Sequence, residues 1–142
     1  MKKLILGAMS FTILSLMSCG GSANADATTE QIVQQTQAIV HVNVAQFETL
    51  LEKENGTILD VRTPEEWAEG IINGAQQMNY YDDDFATQIA ALDKSKAVFV
   101  YCKAGGRSSS AAEVLKENGF TKIYNLDGGM DAWKEQGKDV QK

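Results

Sequence analysis

Val98-Phe99-Val100-Tyr101-Cys102-Lys103-Ala104-Gly105-Gly106-Arg107-Ser108-Ser109-Ser110-Ala111-Ala112 is the stretch around which the chain is organised. Its apolar start has the form of a buried strand, its centre that of a Gly-rich turn, and its end that of a helix opening on small residues. A cysteine is thereby delivered to the junction of strand and helix. Backbone N–H groups of a tight loop converge there with the unpaired first-turn N–H groups of the following helix, forming a cup for an anion. A sulfur in such a cup is favoured as thiolate, the nucleophilic form of cysteine.

Working outward, the cup lies in a local excess of positive charge. The chain as a whole is acidic, with 13 basic and 19 acidic residues and a formal net charge of −6, and loss of Lys2 and Lys3 with a leader would make it more so. Such a surface repels nucleic acid, which removes that class of partner. Yet Lys94 to Ala112 holds Lys94, Lys96, Lys103 and Arg107 and no carboxylate. The 44% hydrophobic and 23% charged fractions are those of a globular domain, and 142 residues suit one domain plus a targeting segment.

The targeting segment is residues 1–18. Met1-Lys2-Lys3 followed by Leu4 to Met17 has a cationic start and an apolar run too short and too interrupted by Ser10, Thr12 and Ser15 to span a bilayer, the pattern of an export signal. Leu16-Met17-Ser18-Cys19 resembles a bacterial lipobox, with Cys19 lipidated as the mature N-terminus. Ala23-Asn24-Ala25 offers an alternative site for an ordinary signal peptidase, which would release a soluble periplasmic protein. The favoured reading is a lipid-anchored protein of the bacterial cell envelope, facing the periplasm or the exterior. Residues 19–38, small, polar and Gln-rich, then form a tether, and residues 39–142 the folded domain.

Within the domain, Ile39 to Val42 reads as a strand, and Asn43 with Gln46 as a capping box opening a helix that stops at Asn55-Gly56. Thr57 to Val61 is a second strand. Thr63-Pro64-Glu65-Glu66 starts a helix with an N-cap, proline at the first position and a capping-box glutamate, with Trp67 as its core contact and Gly70 as its stop. Ala75 to Tyr80 is a short third strand, and Asp82-Asp83-Asp84 caps a helix carrying Phe85, Ile89 and Leu92. The triplet lacks the pattern of a calcium loop, and His41, the one histidine, has no companion for a zinc site. Lys122 to Leu126 is the last strand and Met130 to Gln136 a closing helix around Trp133. Alternating strands and helices indicate an α/β fold with a mostly parallel sheet covered on both faces, whose ligands sit at the C-terminal strand ends. Asp60 and Arg62 end one of these strands and read chiefly as an ion pair supporting the loops at the edge where Cys102 lies.

Leu59-Asp60-Val61-Arg62-Thr63-Pro64-Glu65-Glu66-Trp67, Cys102-Lys103-Ala104-Gly105-Gly106-Arg107-Ser108 and Asn125-Leu126-Asp127-Gly128-Gly129-Met130-Asp131-Ala132-Trp133 resemble, in order, the three signatures of a single-domain rhodanese. The resemblance extends from about Val40 to Gly137. It implies a rhodanese-like fold and a sulfurtransferase in which Cys102 takes sulfur from thiosulfate or a related anionic donor and passes it to cyanide or a thiol. The substrate would be held by Lys103, Ala104, Gly105, Gly106, Arg107 and Ser108, with Arg107 neutralising donor charge or bracing the loop and Lys103 raising the local anion concentration. Two departures stand out. Ile71 and Asn73 replace a His and a Pro common in the family, so a histidine-assisted step loses support, and Lys103-Ala104 replaces a common Arg-Ser pair.

Other readings of the cysteine loop are a cysteine phosphatase or arsenate reductase, and a non-catalytic rhodanese-like module that binds a partner. Phosphatase loops of this fold place five residues between Cys and Arg; here there are four, a tighter cup that suits sulfur. Neither phosphate-binding glycine fingerprint is matched, so no nucleotide or other cofactor is expected. With Cys19 removed or lipidated, Cys102 has no disulfide partner in the chain, and an exported thiol carrier protein is the expected means of regenerating it.

Overall fold

The computed structural model describes residues 38–142. The expected export signal, the expected lipidation at Cys19, the alternative cleavage after Ala25 and all but the last residue of the expected tether lie outside the described residues. Five parallel strands form one sheet: β1 (Ile39–Val42), β2 (Thr57–Asp60), β3 (Gln76–Gln77), β4 (Val98–Tyr101) and β5 (Ile123–Leu126), in the spatial order β1-β5-β4-β2-β3. The helices are α1 (Val44–Lys53), α2 (Pro64–Trp67), α3 (Phe85–Ala90), α4 (Gly106–Glu117) and α5 (Gly129–Glu135). The central strand β4 is buried along its whole length, as a continuous apolar run between two helical layers requires.

Because side chains alternate across a strand, β4 sends Val98, Val100 and Cys102 into one layer and Phe99 and Tyr101 into the other. The first layer holds Phe85 and Ile89 of α3 and Ala111, Ala112 and Leu115 of α4, so Cys102 borders the core beneath α4. The small residues of α4 let it lie close to the sheet. In the second layer Phe47 of α1 meets Phe99 edge-on at 5.4 Å between ring centroids and Trp133 of α5 at 6.2 Å. The Asn43 cap forms as the sequence indicates: its carboxamide accepts the Gln46 N–H at 2.9 Å, and the Gln46 side chain accepts the Asn43 N–H at 3.0 Å.

Three expectations are corrected. The third strand shrinks to Gln76–Gln77, because it is an edge strand paired with β2 alone and both its side chains are exposed. Trp67 belongs to a single helical turn and stays half-buried outside both core layers, so it is not the core anchor of α2. The aspartate triplet does not cap α3 through a side chain: Asp82 accepts from the Asn79 amide and Asp84 from the Gln88 amide, each at 2.7 Å. Among the described residues no cluster of three or more potential ligands could hold a metal, and no helix is long and apolar enough to cross a membrane.

Candidate active site

β4 ends at Tyr101, and the next residue, Cys102, lies at the C-terminal edge of the sheet, where loops from neighbouring strands converge. Gly105 then turns the chain into α4 with φ +101°, a left-handed conformation that favours glycine. That turn brings the Gly105 N–H to 3.1 Å from Cys102 Sγ. Hydrogen-bonding groups of Ser108 and Ala104 add to the stabilisation of the charged sulfur. Cys102 is only 2% exposed. Burial alone pushes its thiol up, but these hydrogen bonds outweigh it and hold the thiol below its ordinary value. The sulfur therefore meets a main-chain donor on its loop side while the other side of the residue borders the core.

The outer wall of the loop is fixed by α5. Met130 N–H donates to the Cys102 carbonyl at 2.8 Å and Asp131 N–H to the Lys103 carbonyl at 2.9 Å. In a trans peptide the C=O and the following N–H point opposite ways. Drawing both carbonyls toward α5 therefore turns the N–H groups of Lys103 and Ala104 inward. Gly129 makes this contact possible, since a β-carbon there would collide with the Cys102 carbonyl and lie 2.7 Å from that of Lys103, at φ +54°. The Gly128-Gly129 pair of the third signature is thus a mould for the cysteine loop.

Arg107 braces the loop. Its two terminal nitrogens each donate at 2.7 Å to one carboxylate oxygen of Glu66, a paired geometry that fixes α4 against α2. The Arg107 guanidinium, with help from the Thr63 N–H at 3.0 Å, holds the Glu66 carboxyl down to about 2. Tyr81, 65% exposed, lies with its ring centroid 5.8 Å from the guanidinium carbon. Lys103, Ala104 and Gly106 are exposed around the same loop.

Asp60 and Arg62 form a buried ion pair, as expected, with contacts of 2.6 to 3.1 Å. Arg62 also donates to the Gly70 carbonyl at 2.8 Å, and the Tyr101 hydroxyl donates to Asp60 at 2.6 Å while accepting the Ile72 N–H at 3.0 Å. Tyr101 faces the layer opposite Cys102, so this cluster ties β2, β4 and the loop after α2 together without touching the sulfur. Sequence reasoning missed Glu66 as the partner of Arg107 and Tyr101 as a member of the ion-pair cluster. The capping-box position of Glu66 hinted at a carboxylate held in place at the start of α2; Tyr101 gave no signal within an apolar strand. His41 is exposed and pairs with Asp127 at 3.2 Å.

Comparison with known proteins agrees with this geometry. The family model for the rhodanese-like domain matches residues 43–136. The thiosulfate sulfurtransferase GlpE of Shewanella oneidensis is 35% identical over 95 residues, covering 67% of this chain and 92% of that protein. Its namesake from Pseudoalteromonas translucida is 32% identical over 97 residues, covering 68% and 90%. Among solved structures, a rhodanese-like domain protein from Staphylococcus aureus superposes with a TM-score of 0.60 at 30% identity, covering 72% of this chain and 98% of its own. The polysulfide-sulfur transferase of Wolinella succinogenes gives 0.61 at 31%, covering 83% and 90%. With the cysteine loop, its α5 mould and these relatives in agreement, the chain belongs to the rhodanese-like family and is a rhodanese-type sulfurtransferase.

Proposed function

We propose that Cys102 carries sulfur from thiosulfate, or a similar anionic donor such as a polysulfide, to cyanide or a thiol. The observation that carries this reading is the Gly105 N–H held 3.1 Å from one sulfur at a strand end, whose thiol lies below its ordinary value because hydrogen bonding outweighs burial. In the first half-reaction the Cys102 thiolate attacks the outer sulfur of thiosulfate. The donor S–S bond breaks, both its electrons leave with sulfite, and a persulfide anion remains on Cys102. In the second, the acceptor nucleophile takes the terminal sulfur, and the thiolate is restored as leaving group. Both the departing sulfite and the persulfide are anions, and both are stabilised by donors already oriented before reaction.

With the Arg107 charge shared with Glu66, the residues that would meet the donor are the N–H groups of Lys103 to Ser108, with Lys103 supplying attraction at the surface. The export signal and Cys19 lipobox support a membrane-tethered domain of the bacterial envelope, working with an exported thiol carrier. Cleavage after Ala25 would instead release the domain.

Assaying the full chain on thiosulfate with cyanide and, separately, on para-nitrophenyl phosphate tests the reading. Thiocyanate release with negligible phosphate release is expected. Phosphate release alone would assign the loop to phosphorus chemistry, and inactivity toward every sulfur donor tried would favour a binding module.

A further inference from the structure

Arg107 stands in the first turn of α4 and is the only guanidinium of the cysteine loop. A guanidinium near a reacting sulfur is a ready counter-charge for the sulfonate end of thiosulfate, whose oxygens match the fork of its two terminal nitrogens. That fork is already taken. Both terminal nitrogens donate at 2.7 Å to Glu66, one to each carboxylate oxygen, and the two side chains are only 18% and 20% exposed. The Thr63 N–H fixes the carboxylate from the other side at 3.0 Å. Arg107 holds the Glu66 carboxyl down to about 2, so near neutral pH the pair carries no net charge.

Arg107 is also held on its flat face. The Tyr81 ring centroid lies 5.8 Å from the guanidinium carbon. Tyr81 is carried there by the backbone beyond β3, where the Met78 and Tyr80 N–H groups donate to the Asp60 and Val61 carbonyls at 3.0 and 3.3 Å and the Tyr80 ring packs on Phe85 at 5.4 Å. Two elements, α2 and the segment after β3, thus keep the α4 arginine turned to its carboxylate. What remains for a donor is the loop's N–H groups and the exposed Lys103. Dipoles and one solvated ammonium match a single negative charge better than two.

We propose that Glu66 is a specificity-determining residue: by pairing with Arg107 it withholds a full positive charge from the donor, and so shifts the site's preference from dianionic thiosulfate toward sulfane donors of single negative charge, such as organic persulfides and thiosulfonates. This rests on Cys102 being the group that takes sulfur from the donor, and it adds the charge class of that donor.

Two near-isosteric pairs of reagents test it on the full chain. Methanethiosulfonate has a methyl group where thiosulfate has a charged oxygen. With either, the Cys102 thiolate attacks the outer sulfur, the S–S bond breaks, its electrons leave with methanesulfinate or sulfite, and cyanide then takes the sulfur. Glu66→Gln, which keeps an oxygen for the Thr63 N–H, is expected to raise kcat/KM for thiosulfate relative to methanethiosulfonate roughly fivefold, the scale of one unit charge at a partly exposed site. The gain should shrink at high salt. Glu66→Asp, which keeps the charge, should leave the ratio close to the parent's.

The second pair is iodoacetate and iodoacetamide, from each of which the Cys102 thiolate displaces iodide; alkylation is read on the peptide containing Cys102. Both reagents consume the same thiolate, so their rate ratio cancels any change in thiol pKa and reports the charge around the sulfur. Glu66→Gln is expected to raise the iodoacetate-to-iodoacetamide ratio by a similar factor. An unchanged ratio, or an equal rise with Glu66→Asp, would overturn the proposal. Alkylation needs no turnover, so a raised ratio in a chain that takes sulfur from neither donor would uphold the charge control by Glu66 and overturn the transfer reading instead.

Discussion

Cys102→Ser is expected to lower thiosulfate-to-cyanide transfer on the order of 10³-fold or more, the scale on which removal of a nucleophile acts. A serine hydroxyl is un-ionised at neutral pH, and its oxygen cannot become the inner sulfur of a persulfide. The loss should be chemical and not structural. Serine is nearly isosteric with cysteine, and its oxygen would still accept the Gly105 N–H that now lies 3.1 Å from the sulfur. Far-UV circular dichroism and a thermal melt close to those of the parent chain are therefore expected alongside the lost activity. Activity within tenfold of the parent would mean that sulfur travels by a route that bypasses Cys102.

Asp60→Ala should act in the opposite way, on stability more than on chemistry. Asp60 and Arg62 are both fully buried, and the carboxylate is the acceptor for the guanidinium and for the Tyr101 hydroxyl. Burial opposes charge on Arg62, but the Asp60 carboxylate beside it more than compensates and raises the guanidinium pKa. Removing the carboxylate strands a buried cation, for which the cost is about 3–5 kcal/mol. That is a large part of the roughly 5–15 kcal/mol by which a domain is stable. Urea denaturation at neutral pH measures it. The double replacement Asp60→Leu with Arg62→Met should be less destabilising than Asp60→Ala alone, since it removes both charges together. Because the cluster faces the layer opposite Cys102, transfer activity per folded molecule should stay within tenfold of the parent. A loss of under 1 kcal/mol for Asp60→Ala would contradict the buried-pair account.

The sequence carried some of these features openly. The apolar run into Cys102, the Gly105-Gly106 turn and the small residues of α4 announced a strand, a loop and a close-packed helix, because each is a local preference of the chain. The Asn43 capping box was legible for the same reason. Contacts made across the fold were not. Glu66 and Arg107 meet only because α2 and α4 flank the same sheet edge. Asp60 meets Tyr101 only because the parallel register of β2 and β4 sets them side by side. Gly129 could be read as a turn residue, but its closeness to the Cys102 carbonyl depends on how α5 docks. Local preference also overstated β3 and Trp67, where position at the edge of the fold prevailed.

The central claim is that one sulfur, seated at a strand end against a main-chain donor, carries the transferred atom. Intact-mass and peptide mass spectrometry after brief exposure to thiosulfate tests it most directly. The account predicts a gain of one sulfur atom on the peptide containing Cys102, reversed by cyanide with stoichiometric thiocyanate. Thiocyanate formed while Cys102 stays unmodified throughout the reaction would contradict it.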